Sequence, residues 1–274
     1  MDIDLKNTVL AVLRPLIRYL IGRGWTYPMM GELLKDVYVM EALQQAASRG
    51  EPVTDSRVSL LTGVHRKDVK RLRAELPKKT SPPALRRGAS LAARVVAEWV
   101  SVPRYLNSRG KPKPLAVHDA AGKPSFEALV KKVRADMRPA VVLDELVRAG
   151  VAKLENGTVH LRRSAYVPAQ PREQLAFLGA NVGDHLQSAL RNITEKQPPF
   201  IERAVYYGLI ETEALQQVQP EIREHAERFL QEINRLVMPL NTTAIRQRVK
   251  HGRRMRLGVY YYEDDAGKTK EKER

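Results

Sequence analysis

Basic side chains form three clusters in this sequence, and these clusters are its candidates for chemistry. The first surrounds Gly63, whose tolerance of a positive φ predicts a tight turn between two short helices. The second helix of such a helix-turn-helix enters the major groove of DNA, where arginine and lysine pair with guanine or hold phosphates. We therefore predict a recognition helix at residues 65–75. The DNA-binding residues expected here are Arg57, His65, Arg66, Lys67, Lys70, Arg71 and Arg73.

Apolar residues on both sides of Gly63 have the spacing that two crossing helices need. Val58 and Leu61 are expected to be buried on the first helix, and Val69 and Leu72 on the second. Residues three apart lie on one helix face, so burial of the second pair would turn the basic residues outward. The alternative is an ordinary helical hairpin whose charged face is only solvated.

The second cluster surrounds a predicted winged helix. Residues 141–161 have the pattern of a helix followed by two short strands, and Asn156-Gly157 between apolar runs predicts a hairpin. Asp144 and Glu145 lie on the candidate recognition helix, so contacts to DNA and contacts to protein both stay open. The DNA-binding residues expected in this unit are Lys131, Lys132, Lys153, Arg162 and Arg163.

The third cluster is residues 246–256, which contain six lysines and arginines and no acid. Residues 257–262, with three tyrosines, follow as a predicted short strand or aromatic anchor. A basic arm of this kind could follow phosphates or enter a minor groove. The alternative is a solvated loop that the tyrosines hold to the protein body. The DNA-binding residues expected here are Arg246, Arg248, Lys250, Arg253, Arg254 and Arg256.

Composition points to a polyanionic partner. The formal net charge is +16 over 274 residues, and so large a surplus must lie at the surface. The sequence has no cysteine, which excludes disulfides, thiol catalysis and zinc fingers. It has no apolar run long enough to cross a membrane and no signal peptide. These features predict a cytoplasmic, nucleoid-associated protein without membrane contact.

No catalytic constellation is recognisable in the sequence. It lacks a glycine-rich phosphate loop followed by lysine and serine or threonine. The six histidines do not have metal-ligand spacing, and Gly179 and Gly183 lie in an apolar helical pattern that suggests close packing. We therefore expect no enzymatic activity, no cofactor and no metal.

The chain is expected to be mainly α, with tandem winged helix-turn-helix units and a C-terminal helical region that includes a long helix. The expected domains are a helix-turn-helix domain at 1–80, a winged helix at 84–167, the helical region at 171–262 and a disordered tail at 263–274. Pro239 is expected to end a helix that begins at Pro220. An apolar seam on that helix predicts a homodimer through the C-terminal helices. The seam is Ile222, Ala226, Phe229, Ile233 and Leu236.

Two amphipathic helices are expected before the first basic cluster. Residues 7–23 have apolar side chains at helical spacing, and Pro28 opens a second helix that runs to about Ser48. One face of the second helix carries Leu33, Leu34, Val37, Met40, Leu43 and Ala47.

Residues 57–69, 141–161 and 253–262 together resemble a family of bacterial proteins of unknown function that is found in proteobacteria. The resemblance covers nearly the whole chain, and it implies a bacterial origin but no activity. The first unit is also similar to winged-helix transcriptional regulators. The paired units resemble, in outline, the winged-helix subunits of bacterial chromosome-condensing complexes.

The function expected from these patterns is sequence-specific regulation of transcription, by a dimer that binds double-stranded DNA. Two alternatives remain open. One is an architectural, nucleoid-associated protein with little sequence preference, and the other is an adaptor whose winged helices bind proteins.

Overall fold

The computed structural model describes residues 2–79, 91–118, 122–162, 171–196 and 198–265. Within them the chain forms nine α-helices and one small three-stranded sheet, so the prediction of a mainly α protein is confirmed. The chain divides into two compact units, Met1–Pro83 and Ala84–Arg274, which we call unit 1 and unit 2. Most of the predicted tail, residues 266–274, lies outside the described residues.

Unit 1 consists of four helices. They are α1 (Ile3–Gly22), α2 (Tyr27–Ser48), α3 (Asp55–Thr62) and α4 (Arg66–Lys79). The side chain of Thr54 accepts a hydrogen bond from the backbone N–H of Arg57 and so caps the start of α3. No strand is present in residues 2–79, so the described part of unit 1 has no wing.

The core of unit 1 lies among α2, α3 and α4. Val39 and Ala42 on α2 pack with Val58 on α3 and with Val69 and Leu72 on α4. Burial of these three residues of α3 and α4 was expected from their spacing and is confirmed. The prediction for Leu61 is wrong, because this side chain is 57% exposed and Val64, in the turn, is buried instead.

Unit 2 begins with a helical and sheet subdomain. Its elements are α5 (Leu91–Ser101), β1 (Leu115–Ala116), α6 (Phe126–Val133), α7 (Pro139–Arg148), β2 (Ala152–Glu155) and β3 (Thr158–Leu161). Both outer strands pair antiparallel with β3, in the order β1-β3-β2. Strand β1 was not expected, since its two residues lie in a stretch rich in proline and glycine.

The hairpin between β2 and β3 has the predicted turn. Asn156 and Gly157 both have positive φ, 48° and 74°, as a two-residue hairpin turn of this type requires. Beneath the sheet, the buried Trp99 and Phe126 rings pack 5.8 Å apart. The indole N–H of Trp99 donates a hydrogen bond of 3.0 Å to the carbonyl oxygen of Lys113.

Two long helices follow the sheet, α8 (Pro171–Thr194) and α9 (Thr212–Arg246). The amide of Asn234 on α9 donates a hydrogen bond of 2.6 Å to the hydroxyl of Ser101 on α5, so α9 belongs to the same unit as the sheet. Pro239 does not end the helix as expected, because α9 runs through both Pro220 and Pro239. No described helix combines the length and apolarity needed to cross a membrane.

Candidate nucleic-acid interface

The turn between α3 and α4 depends on Gly63. Its φ of 71° and ψ of 0° lie in the left-handed region, and its N–H donates a hydrogen bond of 2.9 Å to the carbonyl oxygen of Ser59. The hydroxyl of Thr62 donates to the carbonyl of Val58 and accepts from the N–H of Val64. These bonds end α3 abruptly and fix the direction in which α4 begins.

A glycine-to-alanine pair tests the turn. Gly63→Ala will lower the free energy of unfolding by about 1–2 kcal/mol, because a side chain destabilises the left-handed conformation. Gly31→Ala on α2 is the matched control, since a Cβ there meets nothing within 4 Å and its φ is not positive. That variant will be stabilised by about 0.5–1 kcal/mol in chemical denaturation. Equal effects of the two substitutions would contradict the role given to Gly63.

Helix α4 has one buried side and one cationic side. Val69 and Leu72 are 0% and 1% exposed and fasten the helix to α2 and α3. Arg66, Lys67 and Lys70 are exposed, and none of them has an ion pair within the described residues. We call these three residues the α4 patch. Because they lie within the first two turns of α4, the patch is at the end of the helix that follows the turn.

His65 lies just before α4 and is exposed. Its Nδ1 accepts a hydrogen bond of 3.3 Å from the backbone N–H of Lys67. The imidazole therefore satisfies one of the N–H groups that the first turn of a helix leaves free.

Three other predicted residues of unit 1 are engaged in ion pairs. Arg71 contacts Asp68 and Glu32, each at 3.3 Å, while Arg73 pairs with Asp55 on α3. Arg57 pairs with Glu51, just before α3. The structure therefore does not gather all seven predicted residues into one free surface. Two of these partners, Glu32 for Arg71 and Asp55 for Arg73, lie 39 and 18 residues away in the sequence, which a local pattern cannot reveal.

Asp68, the acid in the first turn of α4, is neutralised by a residue of α2 that the sequence analysis missed. Lys35 lies 3.3 Å from the Asp68 carboxylate and 2.7 Å from that of Glu32. Its hydrogen bond is the largest cause of the lowered pKa of Asp68, and Arg71 adds to it. Asp68 faces α2 and does not enter the α4 patch.

The predicted cations of the sheet subdomain are also partnered. On the β2–β3 hairpin, Lys153, Arg162 and His160 all lie near the Glu155 carboxylate. Lys153 is the largest cause of the lowered pKa of Glu155. Arg163 lies outside the described residues.

Helix α6 shows the same behaviour. Lys131 pairs with Glu127 at 2.6 Å, and Lys132 pairs with Glu98 of α5 at 2.5 Å. On the following helix, α7, the carboxylate of Asp144 is exposed. This subdomain therefore presents fewer unpaired cations than its sequence indicates.

The C-terminal basic cluster divides into two parts. Arg254 and Arg256 both bind Asp184 on α8, with closest distances of 2.5 and 2.6 Å, and Arg256 also donates to the side chain of Asn181. These two arginines hold the C-terminal segment against α8. The remaining predicted residues are exposed without an ion pair in the described parts of the chain; they are Arg246, Arg248, Lys250 and Arg253.

We call the ion pairs of Arg254 and Arg256 with Asp184 the Asp184 clasp. Two features close to it differ from what the sequence led us to expect. A Cβ on Gly183 would meet nothing within 4 Å, so close helix packing does not explain this glycine. Tyr260, Tyr261 and Tyr262 are exposed and form no strand. The ring of Tyr260 lies 5.9 Å from that of His185 on α8.

The Asp184 clasp makes a prediction about pH. The hydrogen bond from Arg254, followed by that from Arg256, lowers the pKa of Asp184 to about 2. Its stabilising effect is therefore complete above the ordinary aspartate pKa and is lost as the pH falls toward 2. Asp184→Asn will lower the free energy of unfolding by about 1–2 kcal/mol at pH 7, and this difference will roughly halve by pH 3. Asp144→Asn, at an exposed site, is the control; a pH-independent difference for Asp184→Asn would contradict the clasp.

The fold and the α4 patch together define a mainly helical protein with a helix–turn–helix in unit 1 and a three-stranded sheet in unit 2. The chain belongs to the DUF6502 family, a family of unknown function, whose model matches residues 4–268. The resemblance to a family of unknown function is thereby confirmed. No curated protein and no solved structure gives a match to the chain.

Proposed function

We propose that this protein binds double-stranded DNA and inserts the beginning of α4 into the major groove. The observation that carries the proposal is the α4 patch. Arg66, Lys67 and Lys70 are exposed in the first two turns of α4, directly after a fixed turn, while Val69 and Leu72 are buried. Cations without an acidic neighbour keep their charge available for phosphates or guanine edges.

The dimensions of the helix suit this partner. An α-helix with its side chains is about 10–12 Å wide, and the major groove is about 12 Å wide. The 14 residues of α4 begin at Arg66, so the cationic side chains lie on the end that reaches bases in helix-turn-helix proteins. The acid in the first turn of α4, Asp68, lies toward α2 and is neutralised by Lys35 of α2 and by Arg71.

The more specific proposal is a bacterial regulator of transcription that acts as a homodimer on the nucleoid. The apolar seam on α9 supports a dimer through the C-terminal helices, because Ile222, Phe229 and Leu236 are all partly exposed. Two copies would place two α4 helices on half-sites about one helical turn of DNA apart.

Unit 2 supports a winged-helix interpretation through its order of elements. Helix α5, strand β1, helices α6 and α7, and the β2–β3 hairpin follow one another as in a winged helix, with β1 paired to β3. The exposed Asp144 on α7 favours a second candidate function for this unit, which is contact with another protein.

An architectural role on DNA is the other candidate. It is favoured by cations of the C-terminal segment that have no ion pair within the described residues, such as Arg248 and Arg253, which add phosphate-binding capacity to that of α4. A protein of this kind would bind unrelated duplexes with similar affinity and a steep dependence on salt.

The experiment is a binding series with a random duplex, a single strand and genomic fragments at about 50 and 150 mM salt. We expect the protein to bind the duplex in preference to the single strand. At the higher salt concentration, we expect it to protect a defined site on one or more genomic fragments in a footprinting assay. Similar affinity for every duplex would favour the architectural role. Absence of duplex binding at the lower salt would contradict the proposal.

A further inference from the structure

A second basic surface, which the sequence analysis did not include, lies on unit 2. Residues 103–118 contain four lysines and arginines and no acid, and residues 233–262 contain seven and no acid. The structure brings these two stretches together. The guanidinium of Arg235 on α9 donates a hydrogen bond of 3.3 Å to the carbonyl oxygen of Gly110, which lies 125 residues away in the sequence. Positive charge from both stretches therefore meets at Gly110.

Gly110 belongs to a tight turn whose backbone is fixed by hydrogen bonds. The N–H of Asn107 donates to the carbonyl oxygen of Lys111 at 2.8 Å, and the N–H of Gly110 donates to that of Asn107 at 2.9 Å. The side-chain oxygen of Asn107 accepts from the backbone N–H groups of Arg109 and Lys111, at 3.0 and 2.9 Å. Gly110 has a φ of 70°, a conformation that glycine adopts without strain. The cationic side chains of this turn therefore leave a backbone of defined shape.

Three cations surround the turn. Arg109 and Lys111 are the neighbours of the glycine in the sequence, and Arg235 contacts it from α9. All three side chains are exposed, and none of them forms an ion pair within the described residues. We call these three residues the Gly110 patch. In contrast with the lysines of α6, which pair with glutamates, they keep their charge available for a ligand.

The surroundings of the patch favour a phosphate backbone as its ligand. No described residue of the stretch 103–118 is a large apolar side chain that is exposed. The turn therefore lacks the apolar anchors by which protein interfaces and membrane-surface helices bind. Tyr105 is 2% exposed, so its ring cannot stack on the bases of a single strand. The attraction between cations and the phosphates of a duplex needs neither feature.

We propose that the Gly110 patch is a second DNA-binding site, which contacts phosphates of the duplex backbone. Each of its three cations can neutralise one phosphate. Contacts of this type hold a protein on DNA but do not read the base sequence. The inference rests on the proposed function for its ligand. It adds that affinity for DNA is divided between α4 in unit 1 and the turn at Gly110 in unit 2.

The test is duplex binding by the full chain, measured by fluorescence anisotropy between about 50 and 150 mM salt. Arg109→Ala with Lys111→Ala will weaken binding roughly tenfold at the higher salt and will lower the slope of log affinity against log salt by about 2. Because every sequence carries the same phosphates, the loss will be equal for a random duplex and for genomic fragments. The turn itself will persist, since Asn107 binds the backbone N–H groups of these residues and not their side chains.

Two further variants show whether the effect belongs to the patch. Arg14→Ala with Arg18→Ala removes the same charge from an exposed part of α1 and will bind within about threefold of wild type. Glu232→Gln removes an exposed acid one turn before Arg235 on α9. This variant will bind the duplex about twofold more tightly, because a negative charge beside the patch repels phosphates.

The proposal is overturned if Arg109→Ala with Lys111→Ala binds the duplex as the α1 control does, or if its salt slope is unchanged. It is also overturned if this variant loses binding to vesicles that contain phosphatidylserine while duplex binding is intact, since the patch then serves a membrane. Loss of affinity by this variant, with none for Arg66→Ala with Lys70→Ala, would contradict the proposed role of α4 and leave the Gly110 patch standing. A wild type that binds no duplex at about 50 mM salt would contradict both.

Discussion

Replacing Arg66 and Lys70 together by alanine will weaken duplex binding roughly 100-fold at about 150 mM salt. Both side chains belong to the α4 patch and have no ion pair within the described residues, so their loss leaves the fold of unit 1 intact. If both contact phosphates, the slope of log affinity against log salt will decrease by about 2. Fluorescence anisotropy of a labelled duplex at several salt concentrations measures both quantities.

The control must change the net charge equally, since any loss of two cations weakens nonspecific binding. Arg223→Ala with Arg228→Ala on α9 meets this condition, because both arginines are exposed there. We expect this control to bind within about threefold of wild type once salt screens long-range attraction. Unchanged binding by the α4 variant would favour the interpretation of these helices as protein-binding surfaces.

Leu72→Ala will lower the free energy of unfolding by about 2–5 kcal/mol, which is the usual effect of a large-to-small change in a core. Leu72 is 1% exposed and packs among α2, α3 and α4, so the cavity opens where α4 is fastened. The measurement is urea denaturation followed by circular dichroism.

Leu60→Ala is the matched control, because Leu60 lies on α3 of the same unit but is 85% exposed. Its effect will stay within about 0.5 kcal/mol. Because the anchor and the α4 patch share one helix, Leu72→Ala will also weaken duplex binding as α4 loses its fixed position. Retention of full stability by Leu72→Ala would show that α4 is not anchored in this way.

The local features of unit 1 were predictable because they depend on neighbouring residues. Gly63 indicated the turn through its conformational freedom, and the spacing of Val69 and Leu72 indicated the buried side of α4. Burial of Leu61 was predicted wrongly because its spacing from Val58 fits one helix face, whereas the turn brings Val64 into the core instead. Periodicity identifies an apolar face but not which of its members a core will bury: on α2, Leu43 packs against the core, whereas Leu33 and Val37 are 41% and 44% exposed.

Long-range pairing was beyond a single sequence. Arg71 meets Glu32 across 39 residues, and Arg254 meets Asp184 across 70. A basic run therefore predicts positive surface but not which of its members remain free. Within the predicted cluster around Gly63, the spacing indicated that Arg66, Lys67 and Lys70 are exposed, but it could not separate them from the arginines that form ion pairs within unit 1.

The same limit applies to unit 2. The hairpin was evident from Asn156-Gly157. Strand β1, in contrast, is defined only by its pairing with β3, in which Leu115 lies opposite Val159. A two-residue edge strand carries almost no pattern of its own. Helix α9 passes through Pro220 and Pro239, so neither proline ends it, although a proline inside a helical pattern usually ends or kinks the helix.

The measurement that tests the DNA proposal most directly is cleavage of DNA from a single labelled position. The chain has no cysteine, so Ala74→Cys, on the exposed side of α4, can carry a metal chelate that cuts nearby DNA. Ala214→Cys on α9 is the control. We predict cuts confined to a short stretch of bound duplex from position 74 and none from position 214. Uncut DNA from position 74 in a complex that still forms would contradict the placement of α4 in the groove.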